Sequence, residues 1–231
     1  MEIRVNHTTL YYVQSGQGQP LILLHGNGES HQIFDKLLPT LSAYFQVFAL
    51  DNRGHGKSAP VKEIHYQEMA NDVVDFIKQL KLEKPLLYGF SDGGIIGLLV
   101  ASQHPDLLGK LMVSGANLNP NGLHSKDRFL AWNVHLWSRR PEVRLLNTEP
   151  NITKADLQRI QIPTLVMAGE KDAVKISHTR YIADQIPDSS LMILPKETHS
   201  SYVIDSFKLL PIIRKFASQP ARSTTAPSRK A

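Results

Sequence analysis

The sequence predicts an α/β fold in which a mainly parallel central sheet carries helices on both faces. Three observations lead there. Strand-like and helix-like patterns alternate almost throughout, the order produced when crossover helices join parallel strands. Several strand-like segments are short, continuous apolar runs such as Pro20-Leu21-Ile22-Leu23-Leu24, as expected of strands buried on both sides. Glycine-rich turns follow these runs at His25-Gly26-Asn27-Gly28 and at Gly89-Phe90-Ser91-Asp92-Gly93.

Residues 2–5 and 9–14, parted by Asn6-His7-Thr8, read as an antiparallel hairpin. The run 20–24 is the first buried strand. Over 33–45 the apolar residues Ile33, Phe34, Leu37, Leu38 and Leu41 have helical spacing, with Pro39 as a kink or break. Strand 47–50 runs into Asp51-Asn52-Arg53-Gly54, and helix 66–80 places Met69, Val73, Phe76, Ile77 and Leu80 on one face. Strand 85–89, helix 92–104 and strand 111–114 follow. Strands 164–168 and 191–194 complete the sheet, with helices over 176–185 and 202–216. One segment, 117–161, has no strand-like run and holds both tryptophans, Trp132 and Trp137. An insertion of that length in a compact domain reads as a short helical cap.

The 231 residues suffice for one large domain, placed at 1–217 with the cap inside it. A composition of 42% hydrophobic and 20% charged residues is that of a globular protein. The richest apolar stretch, 93–101, falls short of the roughly 18–20 residues that a membrane helix needs. The N-terminal residues lack the basic-then-apolar layout of a secretory signal, so the expected compartment is the cytoplasm. The absence of cysteine excludes disulfides, thiolate metal sites and a cysteine nucleophile. Of the net charge of +5, three charges come from Arg222, Arg229 and Lys230 in the tail 218–231. That tail is rich in Ser, Thr, Pro and Ala and is expected to be disordered. The body shows no basic stripe interleaved with aromatics, so neither nucleic acid nor a membrane is an expected partner. Nothing in the chain specifies an oligomeric state.

The chemistry centres on Gly89-Phe90-Ser91-Asp92-Gly93, a G-x-S-x-G pattern between a buried strand and a helix. The turn is too tight for side chains at its glycines, and Ser91 is expected to stand strained above the sheet edge. A serine hydroxyl needs a neighbouring base at neutral pH. His199, after strand 191–194, and Asp172, after strand 164–168, are placed to converge on Ser91. Glu170 competes with Asp172 but lies two residues nearer its strand. His178 sits in a polar helix and is expected at the surface, and His25 and His55 are taken as structural. Backbone N–H groups of Asn27 and Asp92 are the expected oxyanion donors, the second at a positive helix N-terminus. The Asp92 carboxylate has two readings, an attractor of cationic substrates or a complement to the helix dipole. Phe90, Phe129, Trp132 and Trp137 are candidate substrate contacts. In the cap, Lys126, Arg128, Arg139, Arg140 and Arg144 would attract anions or form a solvated face.

These motifs, with Asp51-Asn52-Arg53-Gly54-His55-Gly56-Lys57-Ser58 and Gly169-Glu170-Lys171-Asp172, resemble the α/β-hydrolase superfamily in their order along the chain. The resemblance implies the α/β-hydrolase fold and a Ser91–His199–Asp172 triad acting without metal or cofactor on a small-molecule ester. It leaves other activities open, because the superfamily includes lactonases and C–C bond hydrolases with the same triad. A non-enzymatic small-molecule receptor on this fold is a third reading. The short cap, compared with many relatives, favours a shallow pocket and small esters.

Overall fold

Successive side chains of a strand point to opposite faces, so a strand apolar at every position must be covered on both. The computed structural model, which describes residues 1–126 and 141–220, shows how that demand is met. Its sheet has eight strands: β1 (Glu2–Val5), β2 (Thr8–Ser15), β3 (Pro20–Leu24), β4 (Gln46–Leu50), β5 (Leu86–Phe90), β6 (Lys110–Ser114), β7 (Thr164–Lys171) and β8 (Ser189–Thr198). They lie in the order β1-β2-β4-β3-β5-β6-β7-β8. From β4 to β8 neighbours are parallel, whereas β1 pairs antiparallel with β2, and β2 with β4.

The described helices are α1 (Leu38–Leu41), α2 (Tyr66–Gln79), α3 (Asp92–Gln103), α4 (Pro141–Thr148), α5 (Lys154–Gln158), α6 (Ile176–Gln185) and α7 (Leu209–Ser218). Ile22 and Leu24 join Val73, Phe76 and Ile96 of α2 and α3 in the core of one face. Leu21 and Leu23 join Leu38, Leu41, Ile213 and Phe216 of α1 and α7 on the other. The inserted segment contributes Leu118, Leu145, Ile152 and Leu157 to the first core, so its described parts are anchored rather than perched. Among the described residues no helix is long and apolar enough to cross a membrane.

Three expectations need correction. The helix over 33–45 is two short pieces, a 3₁₀ turn at His31–Phe34 capped by the Ser30 side chain, and α1. Pro39 sits in the first turn of α1, where its missing N–H has no partner to lose, so it starts a short helix instead of kinking a long one. The helix over 202–216 begins only at Leu209, because Asp205 takes a left-handed backbone (φ 49) and ends a turn that opens at Ser200. Strands β7 and β8 run past their apolar stretches to Lys171 and Thr198, with a register shift between Gly169 and Lys171. The residues at 127–140 and 221–231 lie outside those described, and with them Phe129, Trp132, Trp137 and most of the tail.

The Asp51–Ser58 motif is a structural knot. The buried Asp51 carboxylate accepts the His31 backbone N–H (2.7 Å), the His31 ring Nδ1–H (2.7 Å) and the Lys57 N–H (2.8 Å). Arg53 forks onto Asp72 of α2 through Nε (2.6 Å) and Nη2 (2.5 Å), reaches Glu68 (2.7 Å) and touches the Asn6 carbonyl (3.3 Å). The Asp72 side chain is 2% exposed. Arg53→Met would leave that carboxylate buried without a counter-charge and is expected to lower stability by about 3–5 kcal/mol. Chemical denaturation checks this, and adding Asp72→Leu is expected to recover most of the loss.

Candidate active site

Strand β3 has β4 on one side and β5 on the other, so the loops leaving β3 and β5 diverge. A crevice at such a reversal is where open α/β sheets place their ligands. The β3 loop carries His25 to Ser30, and the β5 turn carries Ser91.

Ser91 has φ 52 and ψ −114, a backbone conformation that costs a residue with a Cβ. It is held there by its N–H to the Ser114 carbonyl (2.8 Å) and by N–H groups of Gly94 and Ile95 on its own carbonyl. A Cβ at Gly89 would lie 2.1 Å from the Gly93 carbonyl oxygen, and one at Gly93 2.3 Å from that of Leu24. The two glycines therefore let β5, α3 and β3 approach closely enough to force the serine outward.

His199 follows β8 directly. Its Nε2 lies 3.1 Å from Ser91 Oγ and its Nδ1 2.6 Å from Asp172 Oδ1. The structure thus brings together three side chains from the exits of β5, β7 and β8. Asp172 is buried and also accepts N–H groups of Gly169 and Val174, both at 3.0 Å. Burial pushes its carboxyl upward, but the His199 contact and the two backbone donors outweigh this and hold it below the usual carboxylate range. A depressed carboxyl stabilises the fold above its unfolded value, and that contribution fades as acidification passes through the lowered one. Gly115 (φ 61) makes room for the imidazole, since a Cβ there would lie 2.6 Å from His199 Cε1. Sequence reasoning had no signal for Gly115.

Glu170 is exposed and its carboxylate accepts the Lys196 N–H across the β7–β8 pair (2.7 Å). His178 is not a surface residue: it is half-buried, and its Nε2 accepts the Leu118 N–H (2.9 Å), fastening α6 to the inserted segment. His25 is fully buried, with Nδ1–H donated to Gly26 O (2.7 Å) and Nε2 accepting the Asn52 N–H (3.0 Å). Burial pushes its pKa down to about 3, so it remains a neutral strut.

The Asn27 and Asp92 backbone N–H groups have no protein acceptor among the described residues. Their side chains are tied together, with Asn27 Nδ2 donating to Asp92 Oδ2 (2.9 Å) and to the Glu142 carbonyl at the start of α4 (2.9 Å). Asp92 Oδ1 accepts the Tyr66 hydroxyl (2.7 Å). With both oxygens engaged and 2% exposure, Asp92 braces the β3 loop and offers no face to a substrate. Burial raises its carboxyl, against the pull of Asn27 and Tyr66.

A cavity of about 330 Å³ opens over Ser91 and His199, walled by Phe90, Leu123 and Leu146. The Phe90 ring packs on the His199 imidazole with centroids 4.9 Å apart. Glu29, which sequence reasoning passed over, lines the same cavity, and its Oε2 accepts the Gly26 N–H at 2.8 Å. A more open hollow of about 560 Å³ near Ser102 and Gln158 has no histidine or carboxylate among its described lining residues to activate the Ser102 hydroxyl, which donates to the Leu99 carbonyl. Among the described residues no group of His, Asp and Glu is arranged to hold a metal ion.

A family profile described as "alpha/beta hydrolase fold" matches residues 19–141. The human protein "Serine hydrolase BPHL" is 30% identical over 236 residues, covering 87% of this chain and 80% of its own. Two solved structures share the fold. Est816, described as an N-acyl homoserine lactone degrading enzyme, superposes with a TM-score of 0.81 at 22% identity over 94% of this chain and 100% of its own. The enol-lactonase from Burkholderia xenovorans LB400 gives 0.80 at 20% identity, over 95% and 100%.

Proposed function

The chain belongs to the alpha/beta hydrolase fold family, and from that premise we propose that it is a serine hydrolase cleaving small carboxylic esters through an acyl-enzyme intermediate. The observation that carries the proposal is the unbroken hydrogen-bonded chain from Ser91 Oγ through His199 to Asp172. His199 Nε2 takes the serine proton as the hydroxyl attacks the ester carbonyl, while Asp172 fixes the tautomer and stabilises the imidazolium. The open Asn27 and Asp92 N–H groups receive the oxyanion, a contact worth about 3–4 kcal/mol per donor in comparable sites. His199 then protonates the leaving alkoxide and activates the water that releases the acid.

The size of the cavity supports a small substrate. Its volume of about 330 Å³ is near the lower end of ligand sites, roughly 300–1,000 Å³, and its Phe90, Leu123 and Leu146 walls suit a short acyl chain. The test is a substrate panel. Acetyl and butyryl p-nitrophenyl esters are expected to turn over at least tenfold faster, in kcat/KM, than the octanoyl ester, an enol-lactone or a vinylogous diketone. Preference for the diketone would replace ester hydrolysis by C–C bond cleavage as the activity. No turnover of any of them, with Ser91 unreactive toward a fluorophosphonate, would remove the hydrolase assignment.

A further inference from the structure

A carboxylate beside an ester-cleaving serine is an unfavourable neighbour, because the reaction develops negative charge in the same space. Glu29 is such a neighbour. A Cβ added at Gly26 would touch Glu29 Oε2 at 2.8 Å and Ser91 Cβ at 3.1 Å, so little more than the width of a methyl group separates carboxylate from nucleophile. Among the described residues, Glu29 forms no ion pair with a lysine or arginine. Only one of its two oxygens has a partner among the described residues, the Gly26 N–H. Glu29 also lines a second hollow, of about 500 Å³, together with Ile33 and Ile204, so its side chain borders both spaces.

We propose that Glu29 is the specificity-determining residue of this pocket, favouring esters that carry a cationic group near the scissile bond and rejecting those that carry a carboxylate. The inference rests on the ester-hydrolase reading of Ser91 and goes beyond it by naming a charge class. Asp92, the other acid beside the nucleophile, is occupied by Tyr66 and Asn27 and leaves the task to Glu29. Burial raises the Glu29 carboxyl above its ordinary range, and a cation bound beside it favours the charged form. The same charge repels the acid product once hydrolysis has formed it.

The experiment compares butyrylcholine with 3,3-dimethylbutyl butyrate, two esters of the same shape that differ in one positive charge. Binding is measured to the Ser91→Ala protein, with and without Glu29→Gln. Glutamine keeps an oxygen for the Gly26 N–H and removes only the charge, so a purely structural role for Glu29 predicts no change in the ratio of the two affinities. The expected result is about tenfold tighter binding of the cationic ester with Glu29 present. That ratio is expected to fall to near parity in the Glu29→Gln protein, with a matching gain in affinity for monomethyl succinate. Equal affinities in the Glu29-bearing protein, a comparison that needs no change at position 29, would overturn the proposal, as would a ratio that survives Glu29→Gln. Turnover of neutral p-nitrophenyl butyrate by the unaltered protein tests the hydrolase reading separately: charge selection without turnover counts against that reading and leaves Glu29 its role in binding.

Discussion

Ser91→Ala is expected to lower kcat for a small ester by roughly a millionfold while the protein stays folded. Nucleophile and base act as a unit, so removing either costs about as much as removing the whole relay. The residual rate is expected to come from the proposed oxyanion donors, the amides of Asn27 and Asp92, which the substitution leaves in place. The fold is expected to survive because the interaction lost by the hydroxyl is its contact with His199 Nε2. The backbone N–H and carbonyl bonds of residue 91 are indifferent to the side chain. Ser91→Gly is informative beside it. The φ of 52 suits glycine, and relief of strain worth about 1–3 kcal/mol offsets the entropy that glycine adds to the unfolded chain. The glycine variant is therefore expected to unfold at a temperature no lower than the parent while matching Ser91→Ala in inactivity. Turnover above about one hundredth of the parent rate in either folded variant would mean that another group is the nucleophile.

Asp172→Asn is expected to cost about 10⁴-fold in kcat, the loss seen when a neutral amide holds the histidine of such a relay in the wrong tautomer. Here the environment adds a second penalty. One carboxylate oxygen accepts both the His199 Nδ1–H and the Val174 N–H, and the other accepts the Gly169 N–H. An amide has one acceptor end, so in either orientation its NH₂ faces at least one buried donor. A buried N–H left without an acceptor costs about 1–3 kcal/mol. Asp172→Asn is thus expected to lower both activity and melting temperature, unlike Ser91→Ala. Kinetics and thermal unfolding on the same preparation separate the two effects; an unchanged kcat would point to Glu170 or another acid as the partner of His199.

The parts of the molecule legible in the sequence are those fixed by local sterics or by period. The turn at Ser91 announces itself because Gly89 and Gly93 leave no room for a Cβ, a constraint contained within five residues. The strands β3 to β6 are visible because both faces must be apolar. What the sequence hides depends on partners far along the chain. Asp92 reads as a free acid until Tyr66 and Asn27, distant in sequence, are seen to occupy both of its oxygens. His178 reads as a polar helix residue until Leu118 is found on its ring nitrogen. Glu29 stands in a loop with no periodicity, and only the folded chain shows it facing the nucleophile. The helix over 33–45 fails for a related reason: Ile33, Phe34, Leu37 and Leu38 are apolar because the core of that face needs them, and a 3₁₀ turn followed by one helical turn buries them as well as a continuous helix would. The polar ends of β7 and β8 escape notice because backbone pairing needs no apolar side chains.

The Asn27 amide has one further implication, for kinetics. Its NH₂ group holds Asp92 with one hydrogen and the first turn of α4 with the other, so the loop bearing a proposed oxyanion donor is moored to the inserted segment. An acyl chain too large for the space beside Leu146 must press on α4, slackening the same mooring that sets the donor's aim. Oversized substrates should therefore still dock yet react slowly, and discrimination by bulk would register in kcat before it registers in KM.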